Sequence, residues 1–342
     1  MIDWESATRQ AEAISHQLHG VHKELDFDQY RQLPFMNWST LKHFGNSPRH
    51  AQAVLRGENP KEETDSMREG SALHHALLEP DKFAEYELAG QCSAVLTTGE
   101  NAGAQCEHKA KHKTANGWRC GQHANRAEKR EPNPRLWLPE KRHSEILRSV
   151  ETLKQNSYLA MLRSRGWAER TIVWEEDGVT YKARLDRYSP PIQGRPPLIL
   201  DLKSIGQVPT HENCAKQILN MGYHRQMALY QRGIEQLTGL RPEVVLVFVE
   251  THAPYDLNVI PIDTASLSIG WLELEPWIRM AKLCLEKYGS NDWPGVMHDA
   301  ISVDNETIKY GGLPPFYRRK YKHDDRVLID DNQLLRRGMG VE

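Results

Sequence analysis

Thr180–Arg187 reads TYKARLDR and Pro197–Ser204 reads PLILDLKS, and these two stretches decide the fold. Both alternate in the period of a β-strand. In the first, Tyr181, Ala183 and Leu185 point one way and Lys182, Arg184 and Asp186 the other. In the second, Leu198, Leu200 and Leu202 form the core side, leaving Ile199, Asp201 and Lys203 opposite. Two adjacent strands of this kind bring Asp186, Asp201 and Lys203 into one cluster. Carboxylates held that close repel each other unless a cation sits between them. Mg²⁺ suits the role, because it takes hard oxygen ligands and keeps waters for chemistry. A lysine beside it can orient or deprotonate an attacking water, or balance charge developing on a phosphate. The plain alternative is a solvated Asp–Lys pair at a strand end.

Around these strands the pattern is that of an α/β protein. TIVWEE (171–176) is a further strand, joined to TYKARLDR at the hairpin dipeptide Asp177-Gly178. A helix is expected over about His211–Leu237, and then EVVLVFVE (243–250), an apolar run suited to burial on both faces. Strand, helix and strand at this spacing predict a right-handed crossover in a mixed sheet. Other helices are expected over Trp4–His22, Ser66–Leu78, Pro139–Arg163 and Ile269–Tyr288. Ser39 is expected to cap a short helix carrying Leu41 and Phe44.

The chain has 342 residues, with 44 Lys+Arg against 46 Asp+Glu, which excludes a uniformly basic coat. Any nucleic acid must be met by a local patch or groove. No apolar run approaches a membrane span, and the start lacks the layout of a signal peptide, so a cytoplasmic protein with reduced cysteines is expected.

Two more constellations accompany the cluster. Gly70 and His74 lie one helical turn apart, so a neutral imidazole can face the carboxylates, with His75 as a competing candidate. Gly70 would permit a close approach of another backbone or a substrate. Gln226 and Tyr230 are again four apart, an amide and a phenol on one helix face.

The order G-x-x-x-H (70–74), D (186), D-x-K (201–203) and Q-x-x-x-Y (226–230) resembles the RecB-like branch of the PD-(D/E)XK nucleases. The likeness is strongest to the exodeoxyribonuclease VIII (RecE-type) domain of bacteria and phages. The flanks NWSTLKHFGNSPRH (37–50), GSALHHALLEPDKF (70–83) and VFVETHAPYDL (247–257) are similar too. The resemblance implies a three-layer α/β core with a central mixed sheet flanked by helices. It implies that His74, Asp186, Asp201 and the backbone carbonyl of Leu202 hold Mg²⁺ or Mn²⁺ and that Lys203 activates the water. Gln226 and Tyr230 would sit beside the DNA strand, and Glu175 would be an extra acidic group, with Glu176 equally placed. It further implies double-stranded DNA ends as substrate, attack from the 5′ end, a ring-shaped homo-oligomer and a single-strand annealing protein as partner. A structure-specific endonuclease and a catalytically silent DNA-binding or assembly protein are the alternatives.

Residues 90–130 interrupt the likeness. Cys92, Cys106 and Cys120 are separated by thirteen residues each, and His123 follows after two more. Cys₃His is a standard zinc set, and a segment this polar needs metal to fold. His108 and His112 are alternative ligands. Lys109, Lys111, Lys113, Arg119, Arg126, Lys129 and Arg130 could make the module a basic finger for DNA or a partner, or simply a solvated face. The expected organisation is thus an N-terminal helical part (1–89), a zinc-binding-like insertion (90–130), the nuclease core (131–310) and a charged tail (311–342).

Overall fold

A computed structural model describes residues 19–295, except 23–24, 59–63, 100, 131–132, 135, 157–159, 161–165 and 193. Most of the helix expected over Trp4–His22 and the tail expected from 311 lie outside the described residues. The end of the first stretch, Gly20–His22, is a short strand, β1. It is followed by α1 (Phe27–Gln32), α2 (Trp38–Leu41) and α3 (Pro48–Leu55). Asn37, not Ser39, caps α2, its side chain accepting from the Thr40 N–H. Ser47 caps α3, with Pro48 at its first position. Helices α4 (Asp65–Leu78) and α5 (Pro80–Phe83) complete the N-terminal part.

Strands β2 (Glu87–Ala89), β3 (His112–Thr114), β4 (Gly117–Arg119) and β5 (Trp137–Pro139) belong to the insertion and its neck. β2 and β5 pair in parallel and close that neck, while β3 and β4 form a hairpin inside it. Next come α6 (Glu140–Gln155), β6 (Trp167–Glu176), β7 (Val179–Ser189) and β8 (Leu198–Ile205). Then follow α7 (His211–Met221), α8 (Tyr223–Thr238), β9 (Glu243–Glu250), β10 (Leu257–Pro261) and α9 (Thr264–Tyr288). The single helix expected over His211–Leu237 is two, because Gly222 adopts a left-handed φ of 69° between them. α9 starts five residues earlier than expected, capped by Asp263, and carries Pro276 inside it. None of the described helices is long and apolar enough to cross a membrane.

The central sheet has the order β1-β6-β7-β8-β9-β10. β8 and β9 are parallel and the other neighbours antiparallel, so the sheet is mixed. The β6–β7 turn has both central residues left-handed (Asp177 φ 52°, Gly178 φ 77°), as a tight two-residue hairpin needs. Both sheet faces are covered. On one, Ile199, Ile205, Val244, Leu246 and Phe248 pack with α8 and α9 through Met227, Leu229, Leu267 and Leu274. On the other, Leu200, Leu202, Val245, Val247 and Val249 pack with α4 and α6 through Leu73, Leu77, Ile146 and Val150. The architecture is therefore helices, sheet, helices. This corrects the expectation that only one side of β8 is core: the face carrying Asp201 is buried as well, and Asp201 itself is 2% exposed.

Candidate active site

The site is built where two strands part. β7 and β8 pair only through Arg187↔Leu200, Tyr188↔Ile199 and Ser189↔Leu198, whereas β8 stays paired with β9 as far as Ile205. At the fork the Asp186 side chain takes over from the backbone, and its Oδ2 accepts the Leu202 N–H at 2.7 Å. The strand alternation also changes parity here. Tyr181, Ala183 and Leu185 face the α8–α9 core, and so does Tyr188. Opposite Asp186, Glu169 holds a left-handed φ of 51°, rare for a non-glycine residue, and the paired register omits both residues.

α4 approaches Leu202 from the other core. His74 Nε2 lies 3.1 Å from the Leu202 carbonyl oxygen, and Nδ1 lies 3.4 Å from Asp186 Oδ2. Burial lowers the His74 pKa, with the Asp201 charge only partly opposing it. A neutral imidazole has one N–H, so it cannot donate to both acceptors. Neighbouring His75 instead meets the Tyr86 hydroxyl at 2.9 Å. Burial, and then the Asp201 charge, push the Asp186 pKa well up. Asp201 Oδ2 lies 2.6 Å from Lys203 Nζ, an ion pair whose side chains are only 3% and 13% exposed. Ligand atoms of His74, Glu169 and Asp186 within 4.8 Å of one another, a carboxyl raised by a neighbouring carboxylate, and an imidazole between two acceptors together fit a divalent cation.

Lys203 Nζ donates to Gln226 Oε1 at 3.2 Å, and Gln226 Nε2 donates to the Tyr230 hydroxyl at 2.9 Å. The ammonium also lies 4.5 Å from the Tyr223 ring centroid. Burial works to lower the Lys203 pKa, but Asp201 and Asp186 outweigh it and the net shift is upward. The structure therefore brings together His74, Asp186, Asp201, Leu202, Lys203, Gln226 and Tyr230.

Glu175 is not among them. It is exposed at the far end of β6, paired with Thr180, and Glu176 forms an ion pair with Arg232. The acidic group at the site is Glu169, whose carboxylate lies with His74 and Asp186 atoms within 4.8 Å of one another. Burial first, then the Asp186 charge, lifts Glu169 to about 7, although Arg184 Nε donates to it at 2.6 Å. A signal existed: counting back from the Asp177-Gly178 turn places Glu169 opposite Asp186. It was missed because that strand was expected to start at Thr171. Gly70 also differs from expectation. A Cβ there would meet only Ser204 Oγ, at an ordinary 3.7 Å, so no backbone approach requires the glycine. A cleft of about 650 Å³ opens over His74, Glu169, Asp186 and Tyr230, walled by Phe27, Tyr30 and Arg31.

Residues 37–294 match the family profile of the PDDEXK-like domain of unknown function (DUF3799). The chain belongs to this family. Among solved structures, the PDDEXK-like domain is similar to a "putative exonuclease" from Eubacterium rectale. The two share 16% identity over 85% of this chain and 97% of that one, with a TM-score of 0.53, a likeness of fold. No curated protein matches the chain. The family and the three-layer mixed sheet make this a nuclease-type domain.

The insertion of this PDDEXK-like domain carries its own small core of Cys92, Ala94, Cys106 and Cys120. The ligand atoms of Cys92, Cys106, Cys120 and His123 all lie within 4.8 Å of one another. His123 Nδ1 is 3.4 Å from Cys120 Sγ and 3.6 Å from Cys92 Sγ, and the Cys106 and Cys120 sulfurs are 4.0 Å apart. Those sulfurs are too far apart for a disulfide. They match the roughly 3.8 Å ligand–ligand edge of a tetrahedron with bonds of about 2.3 Å. Burial opposes ionisation of Cys92, but the Cys120 and Ala94 N–H groups and His123 overcome it and bring the thiol down to about 6. The donor set fits zinc. The alternatives His108 and His112 are not part of this cluster. On the basic face, Lys113 is already paired with Glu87.

Proposed function

We propose that this PDDEXK-like domain is a divalent-metal-dependent DNA nuclease that resects double-stranded ends, working 5′ to 3′ like the RecE-type domains its motifs resemble. The observation that carries the reading is the convergence of His74, Glu169 and Asp186, whose ligand atoms lie within 4.8 Å of one another at the β7–β8 fork. His74, Asp186, Asp201 and the Leu202 carbonyl would hold Mg²⁺ or Mn²⁺, with Glu169 as a further carboxylate at its edge. A divalent ion bound there neutralises phosphate charge, lowers the pKa of water and stabilises the leaving oxygen.

The rest of the chemistry belongs to the chain's own side chains. Lys203, kept charged by Asp201 and Asp186, donates hydrogen bonds to an attacking oxygen or a phosphate oxygen. Gln226 fixes the position of that ammonium and is itself held by Tyr230. Tyr230 lines the cleft with a proton that burial makes hard to remove, so its hydroxyl serves as a neutral donor to the strand. Zinc in the Cys₃His cluster holds the insertion folded. A ring assembly and an annealing partner rest on the family resemblance alone.

The test is purified protein with Mg²⁺ on linear and covalently closed circular duplex, each linear end labelled separately. Attack on linear DNA from the 5′ label supports the reading. Nicking of circles favours an endonuclease, and no attack with any divalent ion favours a binding protein.

A further inference from the structure

The N-terminal segment before α2 is fastened to the active-site strand at unusual cost. α1 contains no buried residue, so core packing does not explain its position. Yet Lys182 of β7, only 4% exposed, spends its ammonium on it. Lys182 Nζ donates to the carbonyls of Tyr30 (2.8 Å) and Leu33, with the Arg31 carbonyl at 3.5 Å. Two positions on, Arg184 Nη1 donates to the Leu25 carbonyl at 2.9 Å. Two residues further, β7 carries Asp186. The backbone joins in as well: Met36 N–H donates to the Thr180 carbonyl, and Lys182 N–H donates to the Met36 carbonyl. Burying a lysine is expensive unless its hydrogen bonds are met. Here they are met by a strap whose helix, α1, buries no side chain, while Phe35 and Met36 anchor its far end in the core.

What the strap delivers is a wall of the cleft, formed by Phe27, Tyr30 and Arg31. Phe27 is 40% exposed. Its ring lies 6.4 Å from that of Tyr30, inclined by 22°. The Arg31 and Arg184 guanidinium groups are each 5.9 Å from the Phe27 centroid. One part of this is ordinary helix geometry, since residues three and four apart are neighbours. The exposure of Phe27 in the cleft that reaches Asp186 and Glu169 is not. Every base offers a π-face, and sequence-tolerant strand binding combines such aromatics with cations that track the backbone. The cleft has the size of a drug-sized ligand pocket, which suits a short run of nucleotides better than an intact duplex.

We infer that Phe27, flanked by Arg31, is a stacking platform for an unpaired base of the substrate strand. Lys182 and Arg184 act as positioning residues that hold the platform at the cleft. This deepens the nucleolytic reading of the same cleft and rests on it for the identity of the ligand.

The test uses the full chain with Ca²⁺ in place of Mg²⁺ and a short single-stranded oligonucleotide carrying 2-aminopurine at its end. Stacking on Phe27 quenches the probe. Phe27→Ala should lose the quench and bind about 5- to 150-fold more weakly, the range for loss of one stacked base. Phe27→Trp should restore both. Phe27 is exposed and α1 keeps its Asp26–Gln29 capping box, so the alanine variant should fold, which circular dichroism checks. Unchanged quench and affinity in Phe27→Ala would overturn the platform, even if DNA is cleaved with Mg²⁺. A Phe27-dependent quench in a protein that cleaves nothing would leave the platform standing and remove the nuclease.

Discussion

The Leu202 backbone N–H donates to the Asp186 carboxylate across 2.7 Å, at the point where the two strands stop pairing. The same residue turns its carbonyl towards His74. One side chain thus replaces a missing ladder bond and is held at the mouth of the fork, one strand away from Asp201. The site exists because β7 leaves β8 while β8 stays with β9.

Loss of either charge beside that fork should stop the chemistry without unfolding the protein. Lys203→Met and Asp201→Asn should each lower Mg²⁺-dependent DNA hydrolysis by about 10²–10⁴-fold. Asp201→Asn should also weaken Mn²⁺ binding in calorimetry, whereas Lys203→Met should not. Full nuclease activity in Asp201→Asn would remove the site assignment.

Glu169 makes a prediction in pH. Its carboxyl is raised from 4.5 to about 7, so the folded protein keeps a proton that the unfolded chain has lost over that interval. Its contribution to stability is fully present below 4.5 and disappears as pH rises through 7. The amount lost is up to about 3 kcal/mol, the opposing Arg184 hydrogen bond being already contained in the net shift. Glu169→Gln cannot titrate. In chelator, its stability relative to the wild type should therefore increase between about pH 5 and about pH 8. Urea denaturation at both values measures this, and a pH-independent difference would show that folding does not raise Glu169.

The inserted module should contain one zinc ion per chain. Cys120→Ser should reduce zinc to background by elemental analysis and expose residues 90–130 to limited proteolysis. The central sheet should survive, since the module's small core is separate from the two that cover the sheet. A wild-type protein purified without zinc, yet resistant to protease in the insertion, would refute the metal.

Gly270 sits where α9 crosses α8. A Cβ there would come within 2.5 Å of the His224 carbonyl oxygen, which is backbone and cannot swing aside. Gly270→Ala should destabilise the protein by about 1–3 kcal/mol, against a helix-propensity gain of about 1 kcal/mol. A raised denaturation midpoint would mean that the helices cross less closely.

Much of the fold was legible because its periods are strong. EVVLVFVE is apolar at every interior position, and such a strand requires cover on both faces. The Asp177-Gly178 turn marked the hairpin, and the four spaced motifs marked the family. Helix ends were less legible. Gly222 split one expected helix, because a left-handed residue ends a helix at a point that apolar periodicity does not register.

The sequence by itself determined which side chains were available and most of their spacing along helices and strands: His74 on α4, Asp201 and Lys203 two apart on β8, and Gln226 and Tyr230 four apart on α8. Only the tertiary structure decided that the Asp201 face is buried, that Glu169 stands at the site and Glu175 does not, and that Phe27 reaches the cleft. Alternation is a local rule, and it holds only while the strands stay paired and regular. At the fork, Asp186 and Glu169 leave that regularity, and the ladder partners, the covering helices and the N-terminal strap come from distant parts of the chain.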